Sequence, residues 1–257
     1  MKKVTAFVGS ARKKNTYKAV EQFLANLEAL GDVEYEIVRL NDYTLKHCRG
    51  CMLCFDKGED RCPLKDDRDL LMQKMMDADG VVFATPNYTF GMSGVMKTLL
   101  DRFGFACHRP RYFGKTFTSI VTQGIGRGNE IVKNFDFVAK ILGFNTVKGV
   151  SLTALDPRTE KEQQRIDQAV DKLSQRFHRQ LMQPAYPQPS WFMLMGFRMG
   201  RSTMIQMADR ESRDYQYFNE KGWLESDYYY PVCLGLLKKA VGNFFDRAAP
   251  SIRKMIA

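Results

Sequence analysis

Four of the six cysteines in this sequence fall within fifteen residues, at Cys48, Cys51, Cys54 and Cys62, in the pattern C-x2-C-x2-C-x7-C. Thiolates are the ligands of iron–sulfur clusters, and a C-x2-C-x2-C run lets three sulfurs converge on one cubane. Cys62, followed by Pro63, offers a fourth ligand on a loop able to fold back. Zinc is less natural, because a tetrahedral site is better served by paired C-x2-C units. A thiol relay is a third chemistry. Plain loop packing competes with all three, and the pair Asp66-Asp67 would then merely cap the next helix. Cys107 and Cys233 are isolated and read as small buried residues. His47, His108 and His178 are scattered and read as surface or packing groups.

Three loops carry the other candidates. In GSARKKNT (residues 9–16), Ser10 and Thr16 bring hydroxyls, Asn15 an amide and Arg12 a charge, beside the N–H groups that open a helix. That combination suits a phosphate, although ordinary helix capping would use the same residues. The loop matches neither G-x4-G-K-[ST] nor G-x-G-x-x-G. In TPNYTFGMSG (residues 85–94), Pro86, Tyr88 and Phe90 suit a flat aromatic ligand, and Asn87 can bond its polar edge. The same rings could instead pack inward. In TQGIGRG (residues 122–128), the glycines either let the backbone approach a ligand or serve turn geometry.

The elements that must position these loops follow from hydrophobic periodicity. Residues 4–8, 33–40, 79–85, 115–123 and 145–152 read as strands, the third a continuous apolar run buried on both faces. Between them lie helical patterns, one carrying Val20, Phe23, Leu24 and Leu27, another Leu70, Leu71, Met75 and Met76, and others near residues 127–142 and 158–182. Strand–helix alternation predicts an α/β fold with a doubly wound, five-stranded parallel sheet. In such sheets ligands bind beyond the carboxyl ends of the strands, where all three loops fall.

PAYPQPS (residues 184–190) holds three prolines in seven residues and reads as a stiff linker. The expected division is therefore a sheet domain over 1–182 and a helical C-terminal extension over 183–257. From Tyr230 to Ala249 that extension places Leu234, Leu237, Val241, Phe244, Phe245 and Ala248 on one side and Lys238, Lys239, Asn243 and Arg247 nearer the other. Such a helix packs on a partner subunit or lies on an anionic membrane surface, and subunit packing is the expectation.

The 257 residues carry a formal net charge of +10, but the basic residues are dispersed and no nucleic-acid motif is present, so no nucleic-acid partner is expected. The start, MKKVTAFVGSARKK, lacks a secretory pattern, since Gly9 and then charges interrupt its apolar run. No window reaches the ~18 apolar residues of a membrane span. The expected setting is cytoplasmic, where clustered cysteines more often bind metal or act in redox chemistry than form disulfides.

Taken in order, G-S-x-R-x-x-N-T, then P-x-Y-x-F-G-x-S-G-x-M-K-x-x-x-D-R, then T-x-G-x-G, the chain resembles the flavodoxin-like NADPH-dependent FMN reductase superfamily. With four cysteines ahead of an Asp-Asp pair, it is most similar to the iron–sulfur flavoprotein branch. The resemblance covers residues 1 to about 180, and Ala11 departs from the proline often found in that loop. It implies non-covalent FMN, with Ser10, Arg12, Asn15 and Thr16 on the phosphate. Pro86, Asn87, Tyr88, Phe90 and Gly91 would line the isoalloxazine, with Thr122, Gln123 and Gly124 at its other edge. The flavin would carry the chemistry, and no catalytic side chain is expected. Electrons would pass from a reduced nicotinamide, NADH or NADPH, or from a ferredoxin-like protein donor, to a small acceptor such as a quinone or free flavin. If Cys48, Cys51, Cys54 and Cys62 hold a 4Fe-4S cluster, the alternative is an electron-transfer protein between redox partners. The resemblance also implies a homodimer or tetramer.

Overall fold

The apolar run near the N-terminus forms β1 (Lys2–Val8), the second of five parallel positions in a sheet. It pairs with β2 (Val33–Arg39) on one side and β3 (Gly80–Tyr88) on the other. Beyond β3 comes β5 (Thr116–Gln123), in register from Gly80↔Thr116 to Pro86↔Thr122. The order reverses between β1 and β3, which is the switch point of a doubly wound sheet. The structure is a computed structural model and describes residues 1–207 and 209–256; residues 208 and 257 of the expected extension lie outside the described residues.

Strand alternation divides the side chains between two faces. Val4, Ala6, Val8, Val82 and Ala84 meet α1 (Asn15–Leu30) and α6 (Glu160–Leu181), where Phe23 and Phe177 pack edge to face with centroids 5.4 Å apart. On the other face Phe83 packs edge to face against Phe7, Phe117 and Phe135, the last from α5 (Gly128–Leu142). With both faces covered, the central strand β3 is buried from Gly80 to Pro86, as the residue 79–85 run predicts.

The outermost position departs from a single strand. It is split into β6 (Asn145–Thr146), paired to Thr116–Phe117, and β7 (Val150–Thr153), paired to Ile120–Gln123. Gly149, between them, passes so close to β5 that a Cβ there would lie 2.5 Å from the Ser119 carbonyl oxygen. A second addition is β4 (Gly91–Met92), antiparallel to the end of β3. The connecting Thr89 and Phe90 are both left-handed, with φ of 51° and 60°, as a two-residue hairpin turn of the right twist demands.

The Asp66-Asp67 pair does not cap α3 (Arg68–Asp77) with a side-chain bond to the helix interior. Asp67 accepts from the Thr44 N–H at 2.7 Å. Asp66 accepts from the N–H groups of Lys46 (2.9 Å) and Arg68 (3.2 Å), and it pairs with Arg102 of α4 (Gly94–Arg102). The pair therefore anchors the backbone that leads to Cys48, a tertiary role that helix periodicity does not reveal.

Two compact units result, Met1–Arg49 with Leu64–Ala185, and Gly50–Pro63 with Tyr186–Ala257. The second contains α2 (Leu53–Asp56), α7 (Trp191–Met207), α8 (Arg213–Glu220) and α9 (Leu236–Ile256). Buried Arg198 of α7 bonds Asp227 (2.8 Å) and Asp246 (3.0 Å), and Gly242 of α9 makes room for it. Phe197, Trp223, Tyr228 and Tyr229 form a small aromatic core with centroids 4.6 to 5.5 Å apart. The expected stripe from Tyr230 is helical only from Leu236, and Leu237 and Phe244 are exposed. Among the described residues, no helix is long and apolar enough to cross a membrane.

Candidate functional site

The three loops meet over the carboxyl ends of β1, β3 and β5 around an open cleft of about 250 Å³. Ser10, Arg12, Asn15 and Thr16 form its floor from the β1–α1 loop. Pro86, Asn87 and Tyr88 enter from the end of β3, and Thr122, Gln123 and Gly124 from the end of β5. Phe90 and Gly91 do not line the cleft; the hairpin carries Phe90 to its tip, 61% exposed.

Local bonding determines what each side chain can still offer. Ser10 Oγ donates to the Arg12 carbonyl at 3.0 Å and so shapes the loop. Buried Thr16 and Thr122 share a hydroxyl–hydroxyl bond of 2.6 Å that ties the first loop to the third. The Asn15 amide is engaged, since Nδ2 donates to Ala154 O (2.7 Å) and Asp156 Oδ2 (3.1 Å), and Oδ1 accepts from Arg158 (2.5 Å). An anion at this loop would therefore meet Asn15 through backbone N–H, beside the cations Arg12 and Lys14. Gln123 Oε1 accepts from the Gly128 N–H at 2.7 Å, which seats the start of α5. A side chain at Gly128 would collide with Ser151 and Gln123.

Asn87 differs from its neighbours. Its Nδ2 donates to Gly126 O at 3.0 Å, which joins the second and third loops. Its Oδ1 is buried and has no hydrogen-bond partner among the described residues. A buried orphan acceptor costs roughly 1–3 kcal/mol, so this cleft wall is built for a ligand that brings an N–H. FMN fits that requirement: a planar ring with an N–H edge for Asn87, and a phosphate for the basic loop.

The loop after β7 completes the cleft with Ala154, Leu155 and Asp156. The same rule that singles out the other strand ends, applied to the fifth position, would have flagged it. Hydrogen bonds from Asn15 and then Arg158 hold the Asp156 carboxyl below the usual carboxylate range. Of the histidines, His47 Nδ1 lies 3.0 Å from Thr98 Oγ1 and His178 Nε2 lies 3.2 Å from Gly31 O.

The four clustered cysteines are arranged differently. Cys48 and Cys51 are exposed, and Cys54 and Cys62 are half-buried. Cys54 lies in α2, and Cys62 follows a short 3₁₀ turn over Glu59–Arg61. Among the described residues, no three His, Cys, Asp or Glu side chains are grouped to hold a metal ion.

A family profile described as NADPH-dependent FMN reductase matches residues 2–156. An iron-sulfur flavoprotein of Archaeoglobus fulgidus is 34% identical over 142 residues, covering 55% of this chain and 69% of that one. A second from the same organism is 35% identical over 143 residues, covering 55% and 64%. Among solved structures, a flavone reductase superposes with a TM-score of 0.54 at 21% identity over 72% of this chain and 66% of that one. RosB, holding 8-demethyl-8-formylriboflavin-5′-phosphate, superposes with a TM-score of 0.55 at 12% identity over 92% of each chain. The two superpositions show a shared flavodoxin-like fold, the second including the helical extension. From the profile match and the Archaeoglobus relatives, the chain belongs to the NADPH-dependent FMN reductase family, in its iron–sulfur flavoprotein branch.

Proposed function

We propose that this FMN-dependent oxidoreductase takes electrons from a reduced nicotinamide and passes them to a small acceptor such as a quinone or free flavin. The observation that carries the reading is the cleft: three loops from three strand ends, with one buried acceptor, Asn87 Oδ1, left unpaired in its wall. When bound, FMN supplies the electron transfer itself. The chain's part is to position and to stabilise. Backbone N–H groups with Arg12 and Lys14 hold the phosphate end. Asn87 and Pro86 orient one ring edge, and the β5 loop, fixed by the Thr16–Thr122 bond, presents backbone to the other. Tyr88, 50% exposed at the mouth, limits water at the ring face. No acid–base side chain is assigned.

A second reading adds an iron–sulfur cluster on Cys48, Cys51, Cys54 and Cys62, with single electrons exchanged with protein partners such as a ferredoxin-like donor. It is favoured by the cysteine spacing and by the curated relatives, which carry the name iron-sulfur flavoprotein. A homo-oligomer is supported by large apolar side chains left exposed in the second unit, Trp191, Phe192, Leu236, Leu237 and Phe244. Cytoplasmic placement accords with reduced, clustered thiols.

One experiment separates the readings. Protein purified without oxygen is assayed for flavin, iron and sulfide, then mixed with NADPH while the flavin band is followed. Stoichiometric FMN that bleaches on mixing is the expected result. Absence of flavin, with none taken up on reconstitution, refutes the proposal. Iron and sulfide lost in a Cys-to-Ser quadruple variant would establish the second reading.

A further inference from the structure

Next to the flavin cleft, at the β7 edge of the sheet, lies a second and larger hollow of about 380 Å³. Leu155, 58% exposed, lines both spaces. A polar pocket of about 110 Å³ also borders both, sharing Asn15 and Thr122 with the cleft and Leu152, Arg158 and Ile166 with the outer hollow. Lys18 and Gln22 also line this pocket.

The outer hollow has two distinct parts. Its floor is apolar, formed by buried Leu152 and Ile166 with half-buried Ala169. Its rim carries Arg158 and Arg165. Arg158 is partly engaged, through Nε and Nη2 on Asp156 Oδ1 and Nη2 on Asn15. The one carboxylate there, Glu162, turns Oε2 onto Thr159 N (2.7 Å) and Oγ1 (2.8 Å) in the capping box of α6. Arg165 is exposed and makes no ion pair or hydrogen bond among the described residues.

An apolar floor with a guanidinium rim selects a flat group bearing a phosphate, which arginine grips through paired N–H donors. The volume is at the low end of the roughly 300–1,000 Å³ of small-molecule sites, enough for one nucleotide rather than a whole dinucleotide. A reduced dinucleotide has two halves, and one must reach the flavin cleft next door. We propose that the outer hollow seats the adenosine half of the donor, with Arg165 and Arg158 facing the 2′-phosphate that distinguishes NADPH from NADH. This assignment rests on the reading above that a reduced nicotinamide is the donor.

The test uses the FMN-loaded enzyme and the variants Arg165→Glu and Ala169→Trp. Arg165 is exposed and outside the flavin cleft, so its replacement leaves flavin content intact. The expected result is a KM for NADPH raised about tenfold in Arg165→Glu, as for the loss of one charge-assisted contact, with kcat and the KM for NADH little changed. Adenosine 2′,5′-bisphosphate should inhibit NADPH oxidation competitively in the wild type and about tenfold less well in Arg165→Glu. Ala169→Trp fills the floor and should raise the KM for both dinucleotides. If both nucleotides reduce the flavin and neither variant shifts either KM, the hollow is not the adenosine seat. If neither nucleotide reduces the wild-type flavin while dithionite does, the donor reading itself fails, and this assignment with it.

Discussion

Replacing Asp66 with asparagine perturbs a buried ion pair that joins three parts of the first unit. The Asp66 side chain is 0% exposed and the Arg102 side chain 2%. Arg102 also donates to Lys46 O at 2.9 Å, and Asp66 accepts from the N–H groups of Lys46 and Arg68. Asparagine keeps the shape but removes the buried negative charge that Arg102 pairs with. Removing one partner of a buried pair costs roughly 3–5 kcal/mol, whereas an exposed pair contributes about 0–1 kcal/mol. Since domains are stable by only about 5–15 kcal/mol, the variant should show a large fall in urea midpoint at pH 7, followed by circular dichroism. The pH dependence has a defined sign. Burial raises the Asp66 pKa, but the Arg102 hydrogen bond and the Lys46 and Arg68 N–H groups outweigh it, and the net shift is downward. A carboxyl depressed in the folded state contributes stability that is complete above the unfolded pKa of about 3.9, and that is lost as pH falls through the lower folded value. Asp66→Asn should therefore lose most stability near neutrality and least in strong acid. A single-variant loss below about 1 kcal/mol, or one independent of pH, would refute the reasoning.

Asn87→Ala removes both the Gly126 tether and the orphan acceptor, and should weaken FMN binding about tenfold in a fluorescence titration of stripped protein. Gly149→Ala forces a Cβ onto the backbone of β5 and should destabilise by roughly 1–3 kcal/mol in the same urea assay, with flavin stoichiometry retained in the folded fraction. Phe90→Ala, at the exposed hairpin tip outside the cleft, should leave FMN affinity within about twofold, roughly 0.4 kcal/mol.

The arrangement assigns separate tasks to neighbouring residues. Thr16, Thr122, Gln123 and Gly128 hold the loops in place through bonds among themselves. Asn87 and the open backbone of the loops are what remain for a cofactor. This division explains why Asn15, singled out for its amide, and Gln123, expected at the flavin from the family resemblance, use their side chains to position the loops.

Much of the frame is legible in the amino-acid order. Short apolar runs separated by helical periodicity lead to a parallel sheet, and a parallel sheet places its loops at one end. That is why ten of the twelve residues expected at a flavin reach the same cleft. Phe90 and Gly91 do not, because two left-handed residues turn β3 back on itself, and no periodicity encodes a φ angle. The Asp66–Arg102 pair spans 36 residues, and the contact between Arg158 and Asn15 spans 143. Such partners are chosen by which strand ends lie side by side, and strand order is a property of the folded sheet. The cysteine spacing names the ligands that a cluster would need, but that Cys54 falls within α2 and Cys62 just after a 3₁₀ turn is decided by the folded backbone, because a spacing pattern carries no dihedral angles.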